Sequence, residues 1–140
     1  SGLAAREMEL RFMRIGVTIE AITDVDIMKM NSVLLDGECA AIGISVSGRT
    51  EAVIHSLQSA KKCGAAVILM TSHIEKKFQN FCDEIMLFAV KANLEKGKAI
   101  SPQFPILVMV DIIYSRMLRM DDFRRETLHE YTLEVLERDS

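Results

Sequence analysis

Tryptophan is absent from this 140-residue chain, proline occurs twice and cysteine three times. No apolar run approaches the roughly 20 residues that a membrane-spanning helix needs. Cys39, Cys63 and Cys82 are odd in number and lack the paired spacing of a metal site, so no metal or other cofactor is expected. They read as buried free thiols of a protein in a reducing cytoplasm. An excess of basic charge is also missing: the net charge is −3, which argues against these residues gripping nucleic acid on their own. The chain shows no internal repeat and no low-complexity segment.

What is present is a composition that can build a core. Hydrophobic residues make up 49% of the chain, which argues against disorder, and 140 residues suit one domain. Nine methionines suggest adaptable packing, as core filler or at a contact between copies.

The pattern along the chain alternates helices with strands. Ala4, Met8, Phe12 and Ile15 fall on one face of a helix over residues 1–15, which Gly16 ends. Val17 to Ile22 alternates apolar and polar residues as a strand does. Thr23 or Asp24 is placed to cap a helix over about 25–35, ended by Asp36-Gly37. Ala40–Ser45 and Ala65–Met70 read as buried strands on either side of a helix from Arg49 to Cys63, whose core face is Val53, Leu57 and Ala60. Ile74–Phe81 suggests a short helix, Glu84–Val90 a further strand and residues 91–100 an exposed loop. Pro102 and Pro105 suit the start of a long apolar helix reaching Met120, and an amphipathic helix follows over 122–138. Alternation of this kind predicts an α/β fold, a three-layer αβα sandwich with a mainly parallel sheet. Ligands of such sheets sit at the carboxyl ends of the strands.

Two loops fall at that edge, Ser45-Val46-Ser47-Gly48-Arg49-Thr50 and Thr71-Ser72-His73. The first joins a strand to a helix. A helix start carries unpartnered N–H groups and the positive end of the dipole, which suits an anion. Ser45, Ser47 and Thr50 add hydroxyls, and Gly48 permits close approach of backbone to ligand. Phosphate is the natural guest, while a plain helix cap is the competing reading of Ser47 or Thr50. Arg49, Glu51 and His73 are further candidate contacts; Glu51 also suits the helix dipole, and His73 changes charge near neutral pH.

The run Gly43-Ile44-Ser45-Val46-Ser47-Gly48-Arg49-Thr50-Glu51, followed by Ala60-Lys61-Lys62-Cys63-Gly64-Ala65 and a strand ending in Thr71, resembles the sugar isomerase (SIS) domain. Its Ser-x-Ser-Gly-x-Thr and Ala-Lys-x-x-Gly-Ala motifs both have counterparts here, and the resemblance covers nearly the whole chain as a single domain, 1–140. It implies a flavodoxin-like parallel sheet between helices and a phosphosugar held by Ser45, Ser47, Gly48 and Thr50. Ser1-Gly2-Leu3-Ala4 looks like the tail of the family's first glycine- and serine-containing loop, which makes Ser1 a ligand contact and leaves the first sheet strand outside the chain; the alternative is that Ser1-Gly2 is a cloning remnant.

Residues Arg11–Gly16, Thr23–Asp24 and Leu34–Glu38, with the apolar helix Ile106–Tyr114, look like RpiR-type bacterial transcription regulators. The resemblance implies a phosphosugar sensor that associates with copies of itself as a dimer or tetramer and acts on DNA through an N-terminal helix-turn-helix domain outside these residues. The alternative is an aldose–ketose isomerase of the same family, such as a hexulose-phosphate isomerase, with His73, Glu51, His129 or Glu130 as candidate base. Arg6, Arg11 and Arg14 read as a solvated face of the first helix, and Arg116, Arg119, Arg124 and Arg125 as part of a salt-bridged surface.

Overall fold

The computed structural model describes residues 2–89, 101, 103–120 and 122–138. They divide into two compact units, one over 22–106 and one formed by 2–21 with 107–140.

The first unit carries a parallel sheet. Helix α2 (Val25–Ser32) starts at Asp24, whose carboxylate accepts from the Asp26 and Ile27 amides at 2.9 Å. Strand β1 (Ala40–Ile44), helix α3 (Glu51–Lys62), strand β2 (Ala66–Thr71), a 3-10 turn (Lys76–Asn80) and strand β3 (Glu84–Leu87) follow. The strand order is β1-β2-β3, parallel throughout, with Ala40 opposite Ala66 and Ile68 opposite Glu84. Parallel neighbours need a crossover, and α3 supplies the one between β1 and β2.

Val53, Leu57 and Ala60 of α3 are buried, as their spacing predicts, together with Val67 and Leu69 of β2 and with Phe78 and Phe81. Fully burying a side chain such as Leu69 contributes about 1.5–3 kcal/mol relative to leaving it exposed. Gly43 lets α3 sit close on β1. A Cβ there would lie 2.6 Å from Leu57 Cδ1 and 2.8 Å from Val53 Cγ1. That close packing sets where α3 begins, and so where the loop before it lies.

The second unit holds helices α1 (Gly2–Met13), α4 (Gln103–Met120, from Leu107 onward) and α5 (Asp122–Arg138). Ala4, Met8, Phe12 and Ile15 are all buried, so the predicted apolar face is real. Phe12 stacks on Tyr114, and Arg11 lies 4.4 Å over the same Tyr ring while pairing with Asp111. Arg11 is therefore not part of a merely solvated face. Arg125 donates to the Ile15 carbonyl at 3.3 Å.

The strand predicted for Val17–Ile22 does not form among the described residues. Val17, Ile19 and Ala21 are half-buried while Thr18 and Glu20 are exposed, so the alternation survives outside any strand. What is missing is a strand partner: the Ala21 amide is taken by the Glu9 carboxylate at 2.6 Å. The three cysteines are free thiols, half-buried where full burial was expected. The predicted 91–100 loop and the Pro102 position lie outside the described residues. Among those described, no helix is long and apolar enough to cross a membrane.

Candidate functional site

The loop between β1 and α3 lies at the carboxyl end of β1 and is tied down from two sides. The Ser45 amide donates to the Met70 carbonyl at 3.0 Å, and Gly48 N–H closes a turn onto the Ser45 carbonyl at 3.1 Å. Ser45 is 1% exposed, and its hydroxyl donates to Thr50 Oγ1 at 2.9 Å. The Thr50 amide in turn approaches Ser45 Oγ at 3.4 Å. Ser47 Oγ accepts from the Arg49 amide at 3.1 Å.

These hydroxyls do not make an ordinary helix cap. Thr50 occupies the N-cap position of α3, yet its side chain accepts no bond from the helix amides. Ser45 instead reaches across the turn to it, which leaves the first amides of α3 without a capping side chain. The Ser47 backbone N–H makes no hydrogen bond to any described residue. The arrangement combines a loop amide with no partner among the described residues, a helix start, the linked Ser45 and Thr50 hydroxyls and the exposed Ser47 hydroxyl of the same loop, which is chemistry suited to an oxyanion.

Gly48 has φ +68°, a conformation that L side chains rarely adopt. A Cβ there would also lie 2.9 Å from the Phe78 ring and 3.2 Å from Thr71 Oγ1. Phe78 is fully buried, so the 3-10 turn forms a rigid floor under the glycine.

The second loop meets the first as its position predicts. Ser72 Oγ donates to the Val46 carbonyl at 2.6 Å, and the Ser72 amide donates to the same oxygen at 3.1 Å. Thr71 Oγ1 approaches that oxygen at 3.4 Å. His73 is exposed, and its Nδ1 lies 2.8 Å from Ser72 Oγ. Sequence reasoning missed the roles of Ser72, the Val46 carbonyl and Phe78. Ser72 and Val46 are 26 residues apart, and no local spacing marks the pair.

The remaining candidates separate. Arg49 is 81% exposed, and its guanidinium lies 4.0 Å from Glu75, which also holds Lys77 at 3.1 Å. Glu51 is an exposed carboxylate in the first turn of α3, where the dipole favours it. Ser1 lies outside the described residues. His129 is in the second unit, with Nδ1 2.5 Å from the Tyr114 hydroxyl. Burial raises the Tyr114 phenol above its ordinary range, against the opposing charges of Arg11 and Arg14. No group of three or more His, Cys, Asp or Glu among the described residues is placed to hold a metal ion.

Residues 1–110 match the SIS domain. The chain belongs to the SIS domain family. Similar proteins include the HTH-type transcriptional regulator RpiR of Escherichia coli K12, 26% identical over 121 residues, covering 86% of this chain and 41% of that protein. Another is the 3-hexulose-6-phosphate isomerase of Mycobacterium gastri, 26% identical over 104 residues, covering 74% of this SIS chain and 50% of the isomerase. In fold, the chain is similar to NanR of Vibrio vulnificus, solved in complex with ManNAc-6P, with a TM-score of 0.85 at 21% identity. That likeness covers 99% of this chain and 52% of the NanR chain. The chain spans 41 to 47% of the length of the HTH-type regulators it matches in sequence.

Proposed function

We propose that this SIS domain is the sugar-phosphate-sensing part of a cytoplasmic bacterial transcription regulator. Ser45, Ser47, Gly48 and Thr50 form the phosphate loop, with Ser1 contributing from the first loop and Arg49, Glu51 and His73 at its margin. The observation that carries the reading is the loop itself: an unpaired Ser47 amide and three hydroxyls at the start of α3, over a glycine held at φ +68°. The relatives named as HTH-type regulators support the sensor over an enzyme.

In the whole protein, DNA binding belongs to a helix-turn-helix domain N-terminal to these residues, and the SIS domain self-associates. A sugar phosphate that favours one arrangement of the assembly shifts the attached DNA-binding domains toward it. The test is calorimetric titration of the chain with a panel of sugar phosphates, with the free sugars as controls. Saturable binding of one phosphate ester without turnover supports the sensor. Absence of binding by a folded sample contradicts it, and leaves an oligomerisation module with a vestigial site.

The second reading is a phosphosugar isomerase, favoured by the likeness to the hexulose-phosphate isomerase. It requires a base that moves a proton between adjacent carbons. His129 has one ring nitrogen engaged by Tyr114 and one that no described residue engages. Turnover of the bound ester that disappears in His129→Ala or Glu51→Gln establishes this reading instead.

A further inference from the structure

We infer that Ser72, oriented by His73, is a positioning residue that aims the Ser47 amide at the bound phosphate. The inference rests on the phosphate-loop reading above and adds what holds that loop in a binding-ready shape. Its basis is the Val46 carbonyl. That single oxygen receives the Ser72 hydroxyl at 2.6 Å and the Ser72 amide at 3.1 Å, with Thr71 Oγ1 at 3.4 Å. A loop carbonyl at a sheet edge ordinarily faces water. Here it is turned inward and fixed from the next loop.

The consequence follows from peptide geometry. A trans peptide is planar, so its C=O and N–H point in opposite directions. Fixing the Val46 oxygen toward Ser72 turns the Ser47 N–H away from the protein's own acceptors, and it has none among the described residues. An amide held in this way is ready for an anion and needs no reorganisation when the anion arrives.

Donor counting assigns the role of His73. A serine hydroxyl has one proton to donate, and a carbonyl oxygen can only accept. The Ser72 proton is committed to Val46, so the 2.8 Å contact requires His73 Nδ1 to carry the hydrogen. Nδ1–H then donates to Ser72 Oγ, and the chain runs from His73 to Ser72 to Val46. Successive bonds of this kind strengthen one another. Ser72 is 9% exposed, so water competes little for its hydroxyl.

The experiment uses inorganic phosphate as the probe and the 1H–15N spectrum of the chain as the readout. In the wild type, saturating phosphate moves the Ser47 amide resonance. Ser72→Ala raises the Kd for phosphate about tenfold, the size of one hydrogen bond's worth of orientation. Ser72→Thr, which keeps the hydroxyl, returns the Kd to within about threefold of wild type. A merely structural role for Ser72 moves the melting temperature of Ser72→Ala and leaves the phosphate Kd of its folded fraction unchanged; that result overturns the inference. The histidine tautomer tests it in the wild type, whatever the variant's stability. Long-range 1H–15N correlations place the hydrogen of neutral His73 on Nδ1 if the chain exists, and on Nε2 alone if it does not. A Ser47 amide that ignores phosphate in the wild type, with Ser47→Ala likewise inert, overturns the phosphate loop itself and is distinguishable from failure of Ser72 alone.

Discussion

In the sheet unit, short stretches of sequence do most of the organising: β1, a six-residue loop and α3 follow one another, and the candidate site lies within that run. In the helical unit, partners come from far apart in the chain. Phe12 and Arg11 meet Tyr114, Tyr114 meets His129, and Arg125 meets the Ile15 carbonyl 110 residues away. The sheet unit is held chiefly by apolar burial around Val67, Leu69 and Phe78. The helical unit adds a polar and aromatic cluster around Tyr114 to its apolar face. A binding loop needs a fixed floor and free donors, and the first unit supplies both.

Breaking the floor has the largest expected effect. Phe78→Ala removes a fully buried ring and lowers stability by about 3–5 kcal/mol. Denaturant unfolding measures it, and phosphate binding is lost in the same variant because Gly48 rests on that ring. Gly48→Ala comes next. It places a Cβ at positive φ against Phe78 and Thr71, at a cost of about 1–3 kcal/mol, with sugar-phosphate affinity falling more steeply than stability. Calorimetric titration beside a melting curve separates the two.

The corresponding change in the helical unit is milder. Tyr114→Phe keeps the ring contacts with Phe12 and Arg11 and deletes only the bond to His129, for about 0.5–1.5 kcal/mol. A loss as large as that of Phe78→Ala would mean that the helical unit depends on its polar cluster more than the comparison allows.

The smallest effect is one of pH. Asp83 is held below the ordinary carboxylate range first by its bond to Lys61, at 2.6 Å, and then by the Val67 amide at 2.8 Å. A lowered folded pKa contributes stability above the unfolded carboxylate's pKa, and that contribution is lost as pH falls through the folded value. Asp83→Asn therefore lowers the melting temperature slightly at neutral and alkaline pH and converges with the wild type on the acid side, so that the acid limb of the melting-temperature profile is flatter.

The residues of α1 and α3 that face the core, the Asp24 cap and the three paired strands were legible because each is a local pattern: a 3.6-residue period, one side chain at a helix start, or a short apolar run between turn residues. The loop's place at the strand end followed from the same alternation. Val17–Ile22 carries the right period without forming a strand, since a period specifies which face is buried and not whether a neighbour is present to pair. The Arg11–Asp111 pair and the Ser72 bond to Val46 span 100 and 26 residues, beyond the reach of any window along the chain. The hydroxyl cluster was visible as three side chains. That Ser45 donates to Thr50, leaving the helix amides without a capping side chain, is a matter of side-chain orientation, which residue spacing does not encode.

The central claim is that Ser45–Thr50 is a phosphate loop, and the most direct measurement is thermal stabilisation of the wild type and Ser47→Ala by a panel of sugar phosphates, with free sugars alongside. The account predicts that one phosphate ester stabilises the wild type saturably, by roughly 2.7 kcal/mol at about 100 times its Kd, while its free sugar does nothing. Ser47→Ala is expected to fold with stability within about 0.5 kcal/mol of wild type, as an exposed substitution does, and to lose most of that response. Equal stabilisation of Ser47→Ala and wild type, or a folded wild type that responds to none of the esters, would contradict it.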